Sequence, residues 1–396
     1  MTRYPIIKLK PGKDEALKRF HPWVFSGAIA EIPSGVTTGE IVNVHNHAGR
    51  CIGTGFYEGD TIAVKMLTFA EAPIDQQFWL HKLSLAFRLR ESLGLIKNSH
   101  TNMYRLVHSE GDNIPGLIID IYGKTAVIQA HSAGILLHFD QIVAALKTIY
   151  GQDIEAVYNK SAGVLERMGR MSVSDGYVFG QANDQNFLEN SMVFKVDWET
   201  GQKTGFFVDQ RENRMMLKGY CHGRRVLNNF SYSGGFSVAA LQGGATSVVS
   251  VDSSKKAVDL CNENIQLNGF GEPTHQSVCI DAKKYLEQLK GNEFDLIVLD
   301  PPAFAKNHHN RHKGLEGYKY INFLAIRNIA PGGLIFTFSC SQAVDRAAFQ
   351  GAVMAAAIET GRNVKILHHL SQSADHPVSI FHPEGAYLKG LVLQIQ

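Results

Sequence analysis

RVLNNFSYSGGFSVAALQGGATSVVSVD, residues 225–252, holds two β-rich runs, RVLNNF and SVVSVD, on either side of a glycine turn and an apolar stretch of helical character. A helix between two nearby strands returns the chain to the same end of a sheet, so this order predicts parallel strands. The alternation continues outward through HQSVCID, FDLIVLD, GGLIFTFSC, NVKILHHL and AYLKGLVLQIQ, with helices expected over residues 254–268 and 343–358. Apolar runs of this kind suit a parallel sheet covered on both faces. Only SQSADHPVSIFHPEG separates the last two runs, too irregular for a helical crossover, so the final strand is expected to run antiparallel. The reading is an α/β, Rossmann-like doubly wound sheet of six parallel strands and one antiparallel strand.

That plan is the one used by class I methyltransferases, and it directs attention to the residues following each strand, where such sheets bind ligands. After the first strand, Gly234 and Gly235 let backbone approach a ligand closely before Phe236 opens a helix. The GxGxxG spacing that a dinucleotide pyrophosphate needs is absent, which favours S-adenosylmethionine. Asp252 ends the second strand, where a carboxylate can accept both hydrogen bonds of a ribose diol. Asp281 ends the third, suited to an adenine amino group. Asp300-Pro301-Pro302 ends the fourth: the acid can meet the cofactor ammonium or a base edge, while the prolines fix the chain and remove backbone donors. Any one of these acids could be a helix cap. Three at successive strand ends point to a ligand.

The fifth strand ends in Phe338-Ser339-Cys340-Ser341, which brings a thiol to the same crevice as Asp300. Carbon 5 of a pyrimidine is a poor nucleophile until something adds covalently at carbon 6, and a thiolate does this. Methylation of guanine or of an exocyclic nitrogen needs no such group. Cys340 therefore separates the two chemistries, and Cys340 and Asp300 are the candidate catalytic residues. Cys221, Cys261 and Cys279 read as small buried hydrophobes.

The chain has 396 residues, 44% hydrophobic and 19% charged, too long for one ordinary core. Three domains are expected: residues 1–72, an all-β module built on IIKLK, GEIVNVHN, RCIGTGFY and TIAVKML; residues 73–190, an α+β domain opening with an amphipathic helix over 75–95; and residues 191–396, the doubly wound domain. No apolar run approaches the roughly 20 residues of a membrane span. The polar, basic N-terminus lacks a signal-peptide pattern, and five cysteines without CxxC spacing argue against disulfides or zinc, so a cytoplasmic protein is expected. A net charge of +2 is uninformative, but Arg3, Lys8, Lys10, Lys13, Lys18 and Arg19 outnumber Asp14 and Glu15 in the first stretch. Such a run suits a polyanion or a plain solvated face.

Taken together, HPWVFSGAI, RLVHSEGDNIPGLIIDIYG, KTGFFVDQRENR, FSYSGGFS, DPPAFAK and FSCS resemble the PUA-domain ribosomal RNA large-subunit cytosine methyltransferases, the RlmI-like family, in order along nearly the whole chain. The resemblance implies a PUA-like RNA-binding first module and a cofactor site lined by Phe230, Ser231, Ser233, Gly234, Asp252, Asp281, Asp300 and Pro301. Cys340 would be the nucleophile, and Gln210, Arg211 and Arg214 would hold cofactor or RNA. KNHHNRHKG, residues 306–314, reads as a positively charged flap with Lys306 and Arg311 facing phosphates. No metal is expected, because neither a carboxylate nor a cysteine joins His308, His309 and His312. Ala303 stands where two-cysteine RNA methyltransferases carry a second thiol, which leaves the general base unassigned. NKSAGVLERMGRM, residues 159–171, fits the family less well. The expected partner is large-subunit ribosomal RNA, with no membrane; a homodimer stays open. A ribosomal RNA guanine methyltransferase and a non-catalytic RNA-binding assembly factor are the competing readings.

Overall fold

The computed structural model describes residues 4–167 and 173–396; of the stretch that fits the family less well, Met168–Met171 lie outside the described residues. The chain forms two compact units: Met1–Phe187 with Val196–Val208 and Ala374–Gly385, and Leu188–Lys195 with Asp209–Ser373 and Ala386–Gln396.

The first unit holds a six-stranded and a five-stranded sheet. The four predicted N-terminal runs form strands Ile6–Leu9, Ile41–His45, Cys51–Tyr57 and Ile62–Thr68, and HPWVFSGAI adds two short ones, Trp23–Phe25 and Ile29–Glu31. Their apolar faces close over Ile7, Leu9, Val24, Val42, Val44 and Val64. The predicted amphipathic helix spans Gln76–Ser92, capped by Asp75, whose side chain accepts from the Phe78 amide. Its Trp79 and Leu83 enter a core shared with strands Met103–His108, Leu117–Tyr122 and Thr125–Ala130.

The strand connection SQSADHPVSIFHPEG contributes Ala374–Gly385 to this first unit, a path its irregular composition did not reveal. It is held by polar contacts that apolar periodicity cannot signal. Arg90, fully buried, pairs with Asp112 and donates to the Asp375 carbonyl at 2.6 Å, and the Arg105 amide donates to the Asp375 carboxylate at 2.9 Å. The His382 ring lies 4.4 Å from that of Trp23.

The second unit is the predicted doubly wound sheet. Its strands are β1 (Arg225–Asn229), β2 (Ser247–Asp252), β3 (His275–Cys279), β4 (Leu296–Leu299), β5 (Leu334–Ser339), β6 (Val364–Leu370) and β7 (Lys389–Ile395). They lie in the order β3-β2-β1-β4-β5-β7-β6, parallel throughout except β7, which is antiparallel to both its neighbours. The order reverses between β1 and β4, so the crevice at their carboxyl ends is the switch point where such folds bind ligands. The helices are α1 (Arg211–Lys218), α2 (Gly235–Gln242), α3 (Lys255–Leu267), α4 (Ala282–Gln288), α5 (Arg311–Asn328) and α6 (Arg346–Thr360). Side chains of Ser254, Asp281 and Asp345 cap α3, α4 and α6. Leu227, Ile297, Ile335, Leu391, Tyr318 and Phe349 form the core between sheet and helices.

A buried polar chain ties one side of this sheet together: Asn228 Nδ2 donates to Ser237 Oγ at 2.8 Å, Ser237 and Ser250 share a 2.6 Å contact, and Ser250 Oγ lies 2.8 Å from His275 Nε2. Burial pushes His275 down to about 4. The folded protein thus keeps it neutral while the unfolded chain protonates it near pH 6.5, so its contribution is present above pH 6.5 and is lost as pH falls toward 4. Urea unfolding at pH 7 and pH 4.5 should show the wild type losing up to about 3 kcal/mol more than His275→Gln; equal losses would contradict this.

Candidate active site

The backbone after β1 is forced into a tight, strained turn. Phe230 and Tyr232 take left-handed φ values of 60° and 44°, and Gly234 one of 77°. Two bulky residues in that region cost on the order of 1–3 kcal/mol each, so the surroundings must hold them. Asp252 is one clamp: its Oδ2 accepts from the Tyr232 amide at 2.9 Å, while Oδ1 accepts from the Ser254 amide at 2.9 Å. The Ser231 amide donates to the Val251 carbonyl, and Asn264 Nδ2 donates to the Ser233 carbonyl at 2.8 Å. Gly234 is required sterically as well, since a Cβ there would stand 2.5 Å from Cys261 Sγ. Gly234→Ala should therefore cost at least about 1–2 kcal/mol from φ alone, with cofactor affinity down about tenfold or more by calorimetry. Adding Cys261→Ala should relieve the collision but not the backbone strain.

Several polar atoms in this turn have no hydrogen-bond partner among the described residues. Ser231 Oγ and both amide atoms of Asn229 are buried without hydrogen-bond partners. Such orphans are costly in a folded protein, and they fit a bound group that brings its own donors and acceptors. Sequence reasoning missed Asn229, although an asparagine ending a buried strand just before the glycine turn was the available signal. Asp281 spends one oxygen capping α4, on the Lys284 amide at 3.0 Å, and is itself exposed.

Asp300 follows β4, and Gln210 Nε2 donates to its Oδ2 at 3.0 Å. Gln210 is in turn held by Asn213 Nδ2, which donates to Gln210 Oε1 at 2.6 Å and to the Ser371 carbonyl at 3.0 Å. Gln210 is 3% exposed. It orients the acid from behind. Arg214, also buried, is bound through Nε and Nη2 to the two oxygens of Glu189, each at 2.6 Å. Its stem lies beside the glycine turn, 3.1 Å from where a Gly235 Cβ would sit. Arg211 is buried on the same helix, 3.4 Å from Glu212. Lys306 is exposed. The expected flap is mostly ordered helix: His308–Asn310 is a 3-10 turn capped by Asn307, α5 begins at Arg311, and Arg311 pairs with Asp345 at 2.9 Å.

The thiol of Cys340 donates to the Pro301 carbonyl across 3.9 Å, so sulfur and the Asp-Pro-Pro turn share one crevice. Cys340 is half-buried. The other cysteines divide. Cys221 and Cys261 are buried, and burial pushes Cys221 up to about 12. Cys279, expected inside, is exposed, because β3 is an edge strand with only β2 beside it.

Elsewhere, in the first unit, His21, His382 and Glu384 come together, a group that sequence reasoning missed. His21 Nδ1 accepts from the Trp23 amide at 3.2 Å, and its Nε2 lies 3.6 Å from Glu384.

The sheet order, with its reversal between β1 and β4 and the single antiparallel β7, is that of the class I S-adenosylmethionine-dependent methyltransferases. Residues 157–391 match the S-adenosylmethionine-dependent methyltransferase family and residues 7–69 a PUA-like domain. More particularly, the chain belongs to the family of ribosomal RNA large subunit methyltransferase I. It is 39% identical to the protein of that name from Aeromonas hydrophila over 395 residues, covering 98% of each chain. It is 36% identical to that from Salmonella schwarzengrund over 400 residues, covering 100% of this chain and 98% of the relative. A protein from Streptococcus mutans described as a SAM-dependent methyltransferase shares the fold, with a TM-score of 0.83 at 22% identity, covering 98% of this chain and 100% of that one. A second solved structure, described as a methyltransferase complexed with SAH, gives a TM-score of 0.83 at 23% identity, covering 99% of this chain and 100% of that one. S-adenosylmethionine is the methyl donor. No helix among the described residues is long and apolar enough to cross a membrane.

Proposed function

We propose that this protein methylates carbon 5 of a cytosine in large-subunit ribosomal RNA, through a transient bond between Cys340 and the base. The observation that carries the reading is the half-buried sulfur 3.9 Å from the Pro301 carbonyl, in the crevice of a methyltransferase sheet. The names of the full-length relatives supply the RNA class, and the PUA-like module suits an RNA partner. A ribosomal RNA substrate goes with a cytoplasmic location.

Bound S-adenosylmethionine supplies an electrophilic methyl group. Phe230, Ser231, Ser233, Gly234, Asp252, Asp281, Asp300 and Pro301 are assigned to holding it: Asp252 to the ribose diol, Asp281 through its uncommitted oxygen to the adenine amino group, and the orphaned Ser231 and Asn229 to remaining polar atoms. The target base must first leave its stack. Cys340 thiolate then forms a bond to ring carbon 6, and the electron pair of the ring double bond moves to carbon 5, which takes the methyl group as the methyl–sulfur bond breaks and its electron pair stays on the departing thioether sulfur. Loss of the carbon 5 proton to a base restores the double bond and expels the thiolate. Asp300, steadied by Gln210, is assigned to the cytosine edge: its carboxylate accepts from the amino group, and from the ring nitrogen once that nitrogen carries a proton. Gln210 thus acts through Asp300. Arg214, neutralised by Glu189, is assigned to fixing α1 beside the glycine turn, and Lys306 to a phosphate.

Incubating undermodified ribosomal RNA with the protein and labelled S-adenosylmethionine, then mapping the product by mass spectrometry, should give 5-methylcytosine. A methylguanine product would favour the nitrogen chemistry, and no transfer would favour an assembly factor.

A further inference from the structure

Beside the catalytic crevice lies a buried cation, Lys389, that the mechanism does not use. Lys389 opens β7 and pairs in register with Ser339, the residue before Cys340. It is 4% exposed. Its Nζ donates to the carbonyl of Ser341, the residue after Cys340, at 2.6 Å. Its hydrogen-bond partner among the described residues is thus a carbonyl dipole and not a carboxylate. Burying an uncancelled ammonium is costly, and a lysine at the head of a mostly apolar strand could be replaced by almost any aliphatic residue if packing were its task. The cost is offset if the charge stabilises an anion that forms nearby.

The groups facing Lys389 are few. Burial pushes it down to about 8, the Cys340 sulfur pulls it back up, Arg346 lowers it and Asp345 raises it. Arg346 and Asp345 stand at the start of α6, and Arg346 is occupied by the Leu370 carbonyl at 3.2 Å while Asp345 holds Arg311 at 2.9 Å. On the other side of Cys340, Tyr318 shares a 2.8 Å hydrogen bond with Ser341 Oγ and is pushed up, first by burial. Tyr318 thus stays a neutral phenol and brings no charge of its own.

We propose that Lys389 is the positioning residue that holds Cys340 as a thiolate, its ammonium fixed over the Ser339–Ser341 turn by the register of β7 on β5. The assignment rests on Cys340 being the nucleophile. The thiol proton passes to water through the open side of the half-buried cysteine, and Nζ, an ammonium at pH 7, neither gives nor takes a proton in this step. Because the ammonium acts through the sulfur, its loss lowers the fraction of attacking thiolate and leaves the cofactor cradle intact.

The test reads sulfur ionisation without RNA or methyl transfer, so it can fail or succeed independently of the covalent reading. The full-length protein is alkylated with iodoacetamide between pH 5.5 and 10, and the rate at Cys340 is followed by mass spectrometry of its peptide. In Lys389→Met the half-point of the profile should move up by about one pH unit or more, which is about tenfold slower alkylation at pH 7. Lys389→Arg should restore most of the rate, and S-adenosylmethionine binding should be unchanged in both. A Lys389→Met protein that binds cofactor and alkylates with the wild-type profile overturns the proposal. If Lys389→Met does not fold, Lys389→Gln is read in the same way. If neither folds, the wild-type profile alone decides: a half-point well below the ordinary thiol value of about 8.5 supports the counter-charge, and one at or above it overturns it.

Discussion

Cys340→Ser is expected to abolish methyl transfer, lowering the single-turnover rate by on the order of 10³-fold or more, while S-adenosylmethionine binds as before. The reason is chemical rather than structural. A serine hydroxyl fills nearly the same space, and the weak 3.9 Å contact of the sulfur with the Pro301 carbonyl is all that is lost, so the crevice keeps its shape. It ionises far less readily than a thiol, so almost none of the attacking anion exists near neutral pH. Without addition at carbon 6, carbon 5 has no electron pair to give. A nitrogen methyltransferase with an idle cysteine would lose little. Single-turnover transfer on undermodified ribosomal RNA, with calorimetry for the cofactor, separates the two, and a serine variant within a few-fold of wild type would remove the thiol from the reaction.

Glu189→Ala should destabilise the protein by about 3–5 kcal/mol, because it removes the carboxylate that holds the buried Arg214 guanidinium through two hydrogen bonds. Both side chains are almost wholly buried and joined by two 2.6 Å bonds. Arg214 lies against the glycine turn, so cofactor affinity should fall with stability. Replacing both partners by methionine should recover most of the loss, since two apolar groups of similar volume need no counter-charge. Urea denaturation of the single and double variants measures this. A double variant no better than Glu189→Ala would mean that Arg214 acts through some other contact.

These two sites mark what the sequence could and could not convey. Strand ends are visible in a linear reading because an apolar run stops where a polar residue begins, and Asp252, Asp300 and Cys340 each stand at such a boundary, in the crevice the topology creates. The seven strands and the antiparallel β7 were legible for the same reason. Pairings fixed by tertiary packing were not. Nothing in KTGFFVDQRENR says that Arg214 is neutralised from Glu189 twenty-five positions away, or that Gln210 is turned inward onto Asp300. Ala374–Gly385 looked like an irregular loop because Arg90, Arg105 and Asp375 hold it by buried polar contacts, which leave no periodic trace. Lys389 could have been noticed, as a cation interrupting the apolar run LKGLVLQI, but its task depends on which residue β5 sets opposite it. In the basic N-terminal stretch, Lys18 is spent on Asp14 and Glu15 and Lys10 on the Gly27 carbonyl, so part of that run is ordinary surface pairing.

Trapping the wild-type protein on ribosomal RNA in which cytosine carries fluorine at carbon 5 tests the covalent step most directly. Fluorine cannot leave as a proton does, so after methyl transfer the final elimination is blocked and the sulfur–carbon bond persists. A protein–RNA adduct that requires S-adenosylmethionine and maps to the Cys340 peptide is the predicted result. No adduct, under conditions where the same protein methylates unsubstituted RNA, or an adduct on another cysteine, would contradict it.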